Sequence, residues 1–101
     1  MPETYQDEEY RAWIRGQLCV LHGERTEDGD QHECAGTTIA ACHLFPRATH
    51  PDHGNLYPGC IVAHAREHQQ GWREIWRVWG ICLPEVCIRL YHRFLETEGR
   101  I

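Results

Sequence analysis

The chain contains no lysine, no long hydrophobic run and no internal repeat or low-complexity tract. Its longest apolar stretches, such as residues 60–65, are far shorter than the roughly 20 residues that a membrane-spanning helix needs. The acidic start, residues 1–10, lacks the pattern of a secretion signal. We therefore expect a cytoplasmic protein that has no membrane partner.

The length of 101 residues allows one small domain and leaves no room for a second. A mean hydropathy of -0.58 excludes a membrane-embedded chain. Six cysteines can indicate disulfides, but eight histidines accompany them, which favours metal ligation in a reducing compartment. A disulfide-stapled secreted scaffold, pairing cysteines such as Cys82 and Cys87, is a third hypothesis that a free-thiol count would test.

The net charge of -5 argues at first against binding to nucleic acid. Residues 1–34, however, hold nine acidic residues against three arginines, whereas residues 35–101 hold six against seven. All ten basic residues are arginines, which bind phosphate well, although a composition bias of the source genome would also explain the absence of lysine. The acidic charge is thus concentrated away from the candidate site described below.

Apolar spacing and the positions of proline and glycine predict helices at both ends of the chain and a β-loop-β segment between them. The predicted elements are a helix within 5–18, a strand within 37–45, a brief strand at 55–57, and helices at 61–70, 72–79 and 84–96. The predicted fold is α+β and mostly helical. Residues 1–18 form its N-terminal helix, residues 19–70 its core and residues 71–101 its C-terminal helices.

Two spacings are typical of metal ligands. His64 and His68 are four apart on a predicted helix, so both lie on one face and can chelate one ion. The alternative is a pair of solvated histidines on a polar face. Cys19-Val-Leu-His22 has the spacing of a metal knuckle, and the acidic loop 24–33 that follows it is expected to be mobile.

The order Cys42-His43-Leu44, Asn55-Leu56, Cys60, His64 and His68 resembles the HNH, or ββα-metal, nuclease family, over residues 19 to about 95. More narrowly, Cys19-x-x-His22-Gly, Pro58-Gly59-Cys60 and Gly71-Trp72-Arg73-Glu74-Ile75-Trp76 look like phage and prophage HNH nucleases related to the Ref recombination nuclease. The resemblance implies a small ββα-metal core with flanking helices. It also implies a protein of a bacterial host or of a phage.

The resemblance implies roles for individual residues. His43 would be the general base, and Asn55 would brace the loop by bonding to its backbone. His64 and His68 would hold a divalent metal, Mg, Mn, Ni or Zn, against a DNA phosphate, and cleavage would leave 5′-phosphate ends. Arg47 would contact a phosphate, although a solvated loop arginine is an equal alternative.

Two further ligand assignments are open. Cys42 stands where many HNH sites supply a third catalytic ligand, but a buried strand thiol explains it too. The resemblance also implies a structural zinc site, because related proteins use two Cys-x-x-Cys-like knuckles. This chain has Cys19, His22 and Cys60 at three of the ligand positions and Ala63 at the fourth. Either Cys34 substitutes from the acidic loop, or the site is lost and these cysteines are small buried hydrophobes.

The remaining patterns favour packing. Cys82 and Cys87 are expected to be core thiols. Trp72, Trp76 and Trp79 fall on one helix face, which predicts that they are buried in the core rather than exposed for stacking on a base. The leading hypothesis is a metal-dependent DNA endonuclease that acts in phage recombination, repair or genome processing. The alternative is a non-catalytic, zinc-stabilised module that binds DNA or protein. No stretch resembles a recognition helix, so a protein partner would supply targeting.

Overall fold

The computed structural model describes residues 7–34, 38–46 and 48–99, which form four helices and one two-stranded sheet. The elements, in chain order, are α1 (Glu8–Arg15), β1 (Ala40–His43), β2 (Leu56–Gly59), α2 (Ile61–Gln70), α3 (Trp72–Trp79) and α4 (Leu83–Thr97). The predicted α+β class with mostly helical residues is confirmed. The finer expectation, a ββα-metal core of the HNH type, stays a prediction. Within these ranges, every helix is too short or too polar to cross a membrane.

The sheet is an antiparallel pair in which Ala40 lies opposite Gly59 and His43 lies opposite Leu56. Successive side chains of a strand point to opposite faces. Cys42 therefore packs in the core beside Tyr57, its partner across the sheet, while the neighbouring His43 points away from that cluster. The sheet thus presents His43 on the face that the main core does not occupy.

Helix α1 ends next to Gly16, the residue near which the sequence predicts its end. Asp7 caps its start by accepting a hydrogen bond from the Tyr10 amide, and Gly16 ends it. Leu18, expected on the apolar face of this helix, lies after its end and is 72% exposed. Helix α2 begins and ends where predicted. Cys60 caps its start, and Gly71, with φ of 85°, ends it before α3 begins.

Two groups of buried side chains hold the fold together. The larger cluster, which includes Leu21, Tyr57 and Ile75, lies between the segment after α1, the sheet and helices α2 and α3. The smaller cluster joins α1 to α4, with Tyr10 and Phe94 both fully buried. Residues 19–34 form no helix or named strand, so packing and their loop contacts hold them in place.

The tryptophan stripe on α3 is only partly buried. Trp79 packs in the larger core cluster and Trp72 lies at its margin, but Trp76 is 52% exposed and stacks on Trp72 at 6.1 Å. The expectation that Trp76 is buried is therefore wrong. Ile75 takes the inward position on the helix, and the next residue is turned about 100° away from it.

Candidate functional site

Three cysteines and one histidine converge beside the N-terminus of α2. The ligand atoms of Cys19, His32, Cys34 and Cys60 all lie within 4.8 Å of one another. The His32 Nε2 is 3.7 Å from the Cys19 Sγ and 3.4 Å from the Cys60 Sγ. A tetrahedral zinc ion with ordinary bond lengths places sulfur and nitrogen ligands roughly 3.6 Å apart. These four side chains, the Cys3His cluster, are close enough to bind a metal ion such as zinc.

Backbone amides surround the thiols of this cluster. Cys60 is the N-cap of α2, and its Sγ accepts a hydrogen bond from the Ala63 amide at 3.4 Å. The Cys60 amide in turn donates to the Cys19 Sγ at 3.5 Å. Hydrogen-bond donors and the positive end of a helix both favour a thiolate over a thiol. The amide donors and the start of α2 are therefore directed at the sulfur atoms that would bind a metal.

The pKa values of Cys34 and His32 are shifted in the directions expected of a site that binds a metal cation. Desolvation and the neighbouring thiols of Cys19 and Cys60 raise the pKa of Cys34 to about 12, because thiolates packed together repel one another. Burial, followed by the charges of Arg66 and His22, lowers the pKa of His32. His32 is therefore a neutral imidazole, which is the form that binds a metal.

The cluster matches the expected zinc site in its three cysteines and differs in its histidine. Cys19, Cys34 and Cys60 come together, as they would if Cys34 substitutes for the missing ligand at Ala63. The fourth position is taken by His32, whereas the exposed His22 lies outside the four, with its Nδ1 3.9 Å from the Cys34 Sγ. Sequence analysis missed His32, although His-x-Cys spacing puts two side chains on the same side of an extended segment.

A second group of histidines lies at the end of the sheet. A cavity of about 350 Å³ is lined by residues 41–46 together with His64, Glu67 and His68. The Nε2 atoms of His64 and His68 are 2.9 Å apart. Two imidazoles on one octahedral ion, each with a bond of about 2.1 Å, have their nitrogens roughly 3.0 Å apart. Helix α2 thus positions this histidine pair to chelate.

The histidine pair faces His43 across the cavity. Burial lowers the pKa of His64, and the nearby His68 and His43 lower it further. A lowered pKa keeps the His64 imidazole neutral at physiological pH, so its nitrogen lone pair is available to a cation. The cavity therefore combines a histidine pair, whose 2.9 Å nitrogen separation also fits an N–H···N hydrogen bond between the rings, with a third histidine on a different element.

His43 makes its own hydrogen bond to a carboxylate. Its Nε2 lies 3.0 Å from Oδ1 of Asp52, a side chain that is 1% exposed. Arg11 Nε donates to Asp52 Oδ2 at 2.8 Å, and the Asp7 amide donates to the same oxygen at 2.9 Å. Burial alone would raise the pKa of Asp52, but these donors, chiefly Arg11, outweigh it and hold the pKa below its ordinary value. Asp52 is therefore ionised, and sequence analysis missed it.

Asn55 brackets the backbone just after His43. Its Oδ1 accepts a hydrogen bond from the Phe45 amide at 2.8 Å, and its Nδ2 donates to the Phe45 carbonyl at 3.0 Å. The side chain is 3% exposed, so water does not compete for these bonds. Asn55 thereby fixes the path of the loop that leaves β1.

Cys42 borders this cavity but is not placed as the third catalytic ligand that the resemblance implies. Cys42 lies in the larger core cluster, its thiol 3.7 Å from the Ala40 carbonyl, and burial raises its pKa to about 12. The structure does not bring it into a three-ligand group with His64 and His68, because strand alternation turns it to the other face. Arg47 lies outside the described residues.

The six cysteines, all within the described ranges, are free thiols. Cys87 is buried in the larger core cluster, as expected for a packed core thiol, and Cys82 is partly exposed at the start of α4. Comparison of the chain with protein-family models, with curated proteins and with solved structures found no match. The HNH assignment consequently stays a prediction carried by the residues themselves.

Proposed function

We propose that the chain is a metal-dependent DNA endonuclease of the HNH type, with His43 as general base and His64 and His68 as metal ligands. The observation that carries the proposal is that these three histidines, from β1 and α2, line a single cavity. A base and a metal-binding pair on two adjoining elements are what hydrolysis of a phosphodiester needs.

Each of these residues has a defined task. A neutral His43 accepts the proton of the water that attacks phosphorus. His64 and His68 would hold a divalent ion, which would supply the Lewis-acid charge that phosphodiester hydrolysis uses. Asn55 keeps the loop after His43 in place through its two bonds to Phe45, so the imidazole and the pair keep their separation. The products would carry 5′-phosphate ends.

The Cys3His cluster has a structural task in this proposal. Four protein ligands close a tetrahedral zinc site and leave no position for substrate. The ligands come from residues 19–34 and from the start of α2, so an ion there ties a segment without helices or named strands to the helix that carries His64 and His68. DNA is the proposed substrate, and a protein partner would supply targeting.

The test is nicking of supercoiled plasmid with Mg²⁺, Mn²⁺, Ni²⁺ or Zn²⁺ by the native protein and by H43A, H68A and H92A. His92 is an exposed histidine on α4 that does not line the cavity and serves as the matched control. We expect metal-dependent nicking that falls at least about 100-fold in H43A and H68A and is unchanged in H92A. Folded protein that nicks with none of these metals, or that nicks equally well without His43 and His68, would contradict the proposal.

A second candidate function is a non-catalytic, zinc-stabilised module that binds DNA or protein. The observation that favours it is the absence, in the described part of the chain, of a third cysteine, histidine or carboxylate ligand beside His64 and His68. This module would contain one zinc ion per chain and would show no cleavage with any metal. The nicking assay and the zinc content together distinguish the two functions.

A further inference from the structure

Asp52 is a buried carboxylate that joins the proposed general base to the first helix. It lies in the loop between the two strands, and both of its oxygens accept hydrogen bonds. Oδ1 is 3.0 Å from His43 Nε2 and 3.3 Å from Arg11 Nη2. Oδ2 accepts from Arg11 Nε at 2.8 Å and from the Asp7 amide at 2.9 Å. His43 and α1 are therefore held by the same side chain.

These contacts fix which nitrogen of His43 carries the proton. An ionised carboxylate accepts hydrogen bonds and cannot donate one. The His43 Nε2 that faces Asp52 must therefore be protonated, which leaves the lone pair of the neutral ring on Nδ1. Nδ1 is the one atom of His43 that can accept a proton from water in this arrangement.

We propose that Asp52 is a positioning residue that fixes the Nε2–H tautomer of His43, and that Arg11, on α1, holds Asp52 in place. The catalytic consequence rests on the proposed nuclease function, whereas the tautomer itself does not. Through Arg11, helix α1 then becomes part of the proposed active site, although it lies outside the ββα segment that resembles HNH nucleases. The chain contributes Arg11 from 41 positions upstream of Asp52.

The substitution Asp52→Asn separates this role from simple packing. Asparagine has the same shape, but only one of its two terminal atoms accepts hydrogen bonds. The Oδ2 position receives the two shorter bonds from fixed donors, at 2.8 and 2.9 Å, whereas Oδ1 faces Arg11 Nη2 at 3.3 Å and a His43 ring whose proton can move, so the amide oxygen belongs at Oδ2. The amide nitrogen then faces His43 and donates to Nε2, which moves the ring proton to Nδ1. The lone pair that would take the proton of water is lost.

The experiment is a ¹⁵N measurement of the histidine rings in the native protein, D52N and E8Q at about pH 8, with H43A used for assignment. Glu8 is the matched control, because it is an exposed carboxylate that bonds to the same Arg11. We expect the Nε2–H tautomer of His43 in the native protein and in E8Q, and the Nδ1–H tautomer in D52N. Thermal unfolding followed by circular dichroism shows whether each variant is folded.

Plasmid nicking is measured on the same samples. We expect D52N to nick about 100-fold more slowly than the native protein, because general-base catalysis contributes at least this factor, and E8Q to nick at the native rate. An Nδ1–H tautomer in the native protein overturns the proposal without any variant. Folded D52N that keeps the native tautomer, or that nicks at the native rate, also overturns it. If no protein nicks with any metal, the nuclease proposal fails, while the ring spectra still decide the role of Asp52.

Discussion

His22 and His32 both lie near the three thiols of the Cys3His cluster. Of the two, only His32 brings a ring nitrogen close to two thiols. We expect H32A to lose stoichiometric zinc and about 3 kcal/mol or more of unfolding free energy, since loss of a structural metal is among the largest single effects. H22A should keep its zinc and stay within about 0.5 kcal/mol of the native protein. Elemental analysis and urea unfolding measure both quantities. Zinc retained in H32A and lost in H22A would reverse the assignment.

Asp52 also makes stability depend on pH. The pKa of this carboxyl is lowered in the folded protein, so its contribution to the unfolding free energy is present above the unfolded pKa and is lost as pH falls through the folded one. We expect D52N to be less stable than the native protein by on the order of 2 kcal/mol at pH 6, and the difference to shrink below pH 4. Urea unfolding at a series of pH values measures this. A difference that is constant down to pH 2 would mean that the bonds of Asp52 to Arg11 and His43 do not depend on its charge.

At the scale of secondary structure, the docking of α1 on α4 depends on aromatic packing. The Tyr10 and Phe94 rings are 5.0 Å apart, and both side chains are fully buried. We expect F94A to lower the unfolding free energy by about 3 to 5 kcal/mol, because it leaves a cavity between the two helices. L18A, which truncates an exposed side chain, should stay within about 0.5 kcal/mol of the native protein. Denaturant unfolding compares the two, and equal effects would show that α1 does not dock through Phe94.

Elements whose signals are local could be predicted from the sequence. Helix α2 was predicted with its observed bounds because it contains no glycine or proline and Gly71 follows it directly. The end of helix α1 near Gly16 was also predicted, but Leu18, counted with its apolar spacing, lies past that glycine and is exposed. The β-loop-β arrangement was predicted from two brief apolar runs and the loop between them, but the second strand was expected to end before Pro58 and instead runs to Gly59. These features depend on neighbours within a few residues of one another.

Site residues that depend on distant partners were harder to predict. His64, His68 and Asn55 were chosen as candidates from the His-x-x-x-His spacing and from the order in which HNH-like residues occur along the chain. His32 becomes a ligand only because Cys60, 28 residues further on, caps a helix beside it. Asp52 becomes a buried carboxylate only because Arg11 approaches it from another element. Neither contact leaves a periodic signal in the sequence.

At the scale of the whole molecule, the two core clusters predict an uneven response to metal removal. The Cys3His cluster adjoins the larger core, whereas the contacts of α1 with α4 belong to the smaller one. We expect chelation of zinc to raise amide hydrogen exchange in residues 19–34 and at the start of α2, and to leave α1 and the part of α4 that packs on it, from Leu90 to Phe94, protected. Hydrogen exchange followed by mass spectrometry tests this, and renewed protection after zinc is added back is the control. Uniform loss of protection would show that the domain folds only with metal.

Helix α2 carries a ligand of the Cys3His cluster at its cap and the histidine pair further along, so it sets the separation between the two ligand groups. A helical rise of 1.5 Å per residue puts His64 and His68 roughly 6 and 12 Å along the axis from Cys60. Enzymes that use two ions on one phosphate hold them only about 4 Å apart. Ions at the two groups therefore cannot share a phosphate. Cobalt bound by the thiols would then report on the fold through its visible absorption, independently of any metal bound by the histidines.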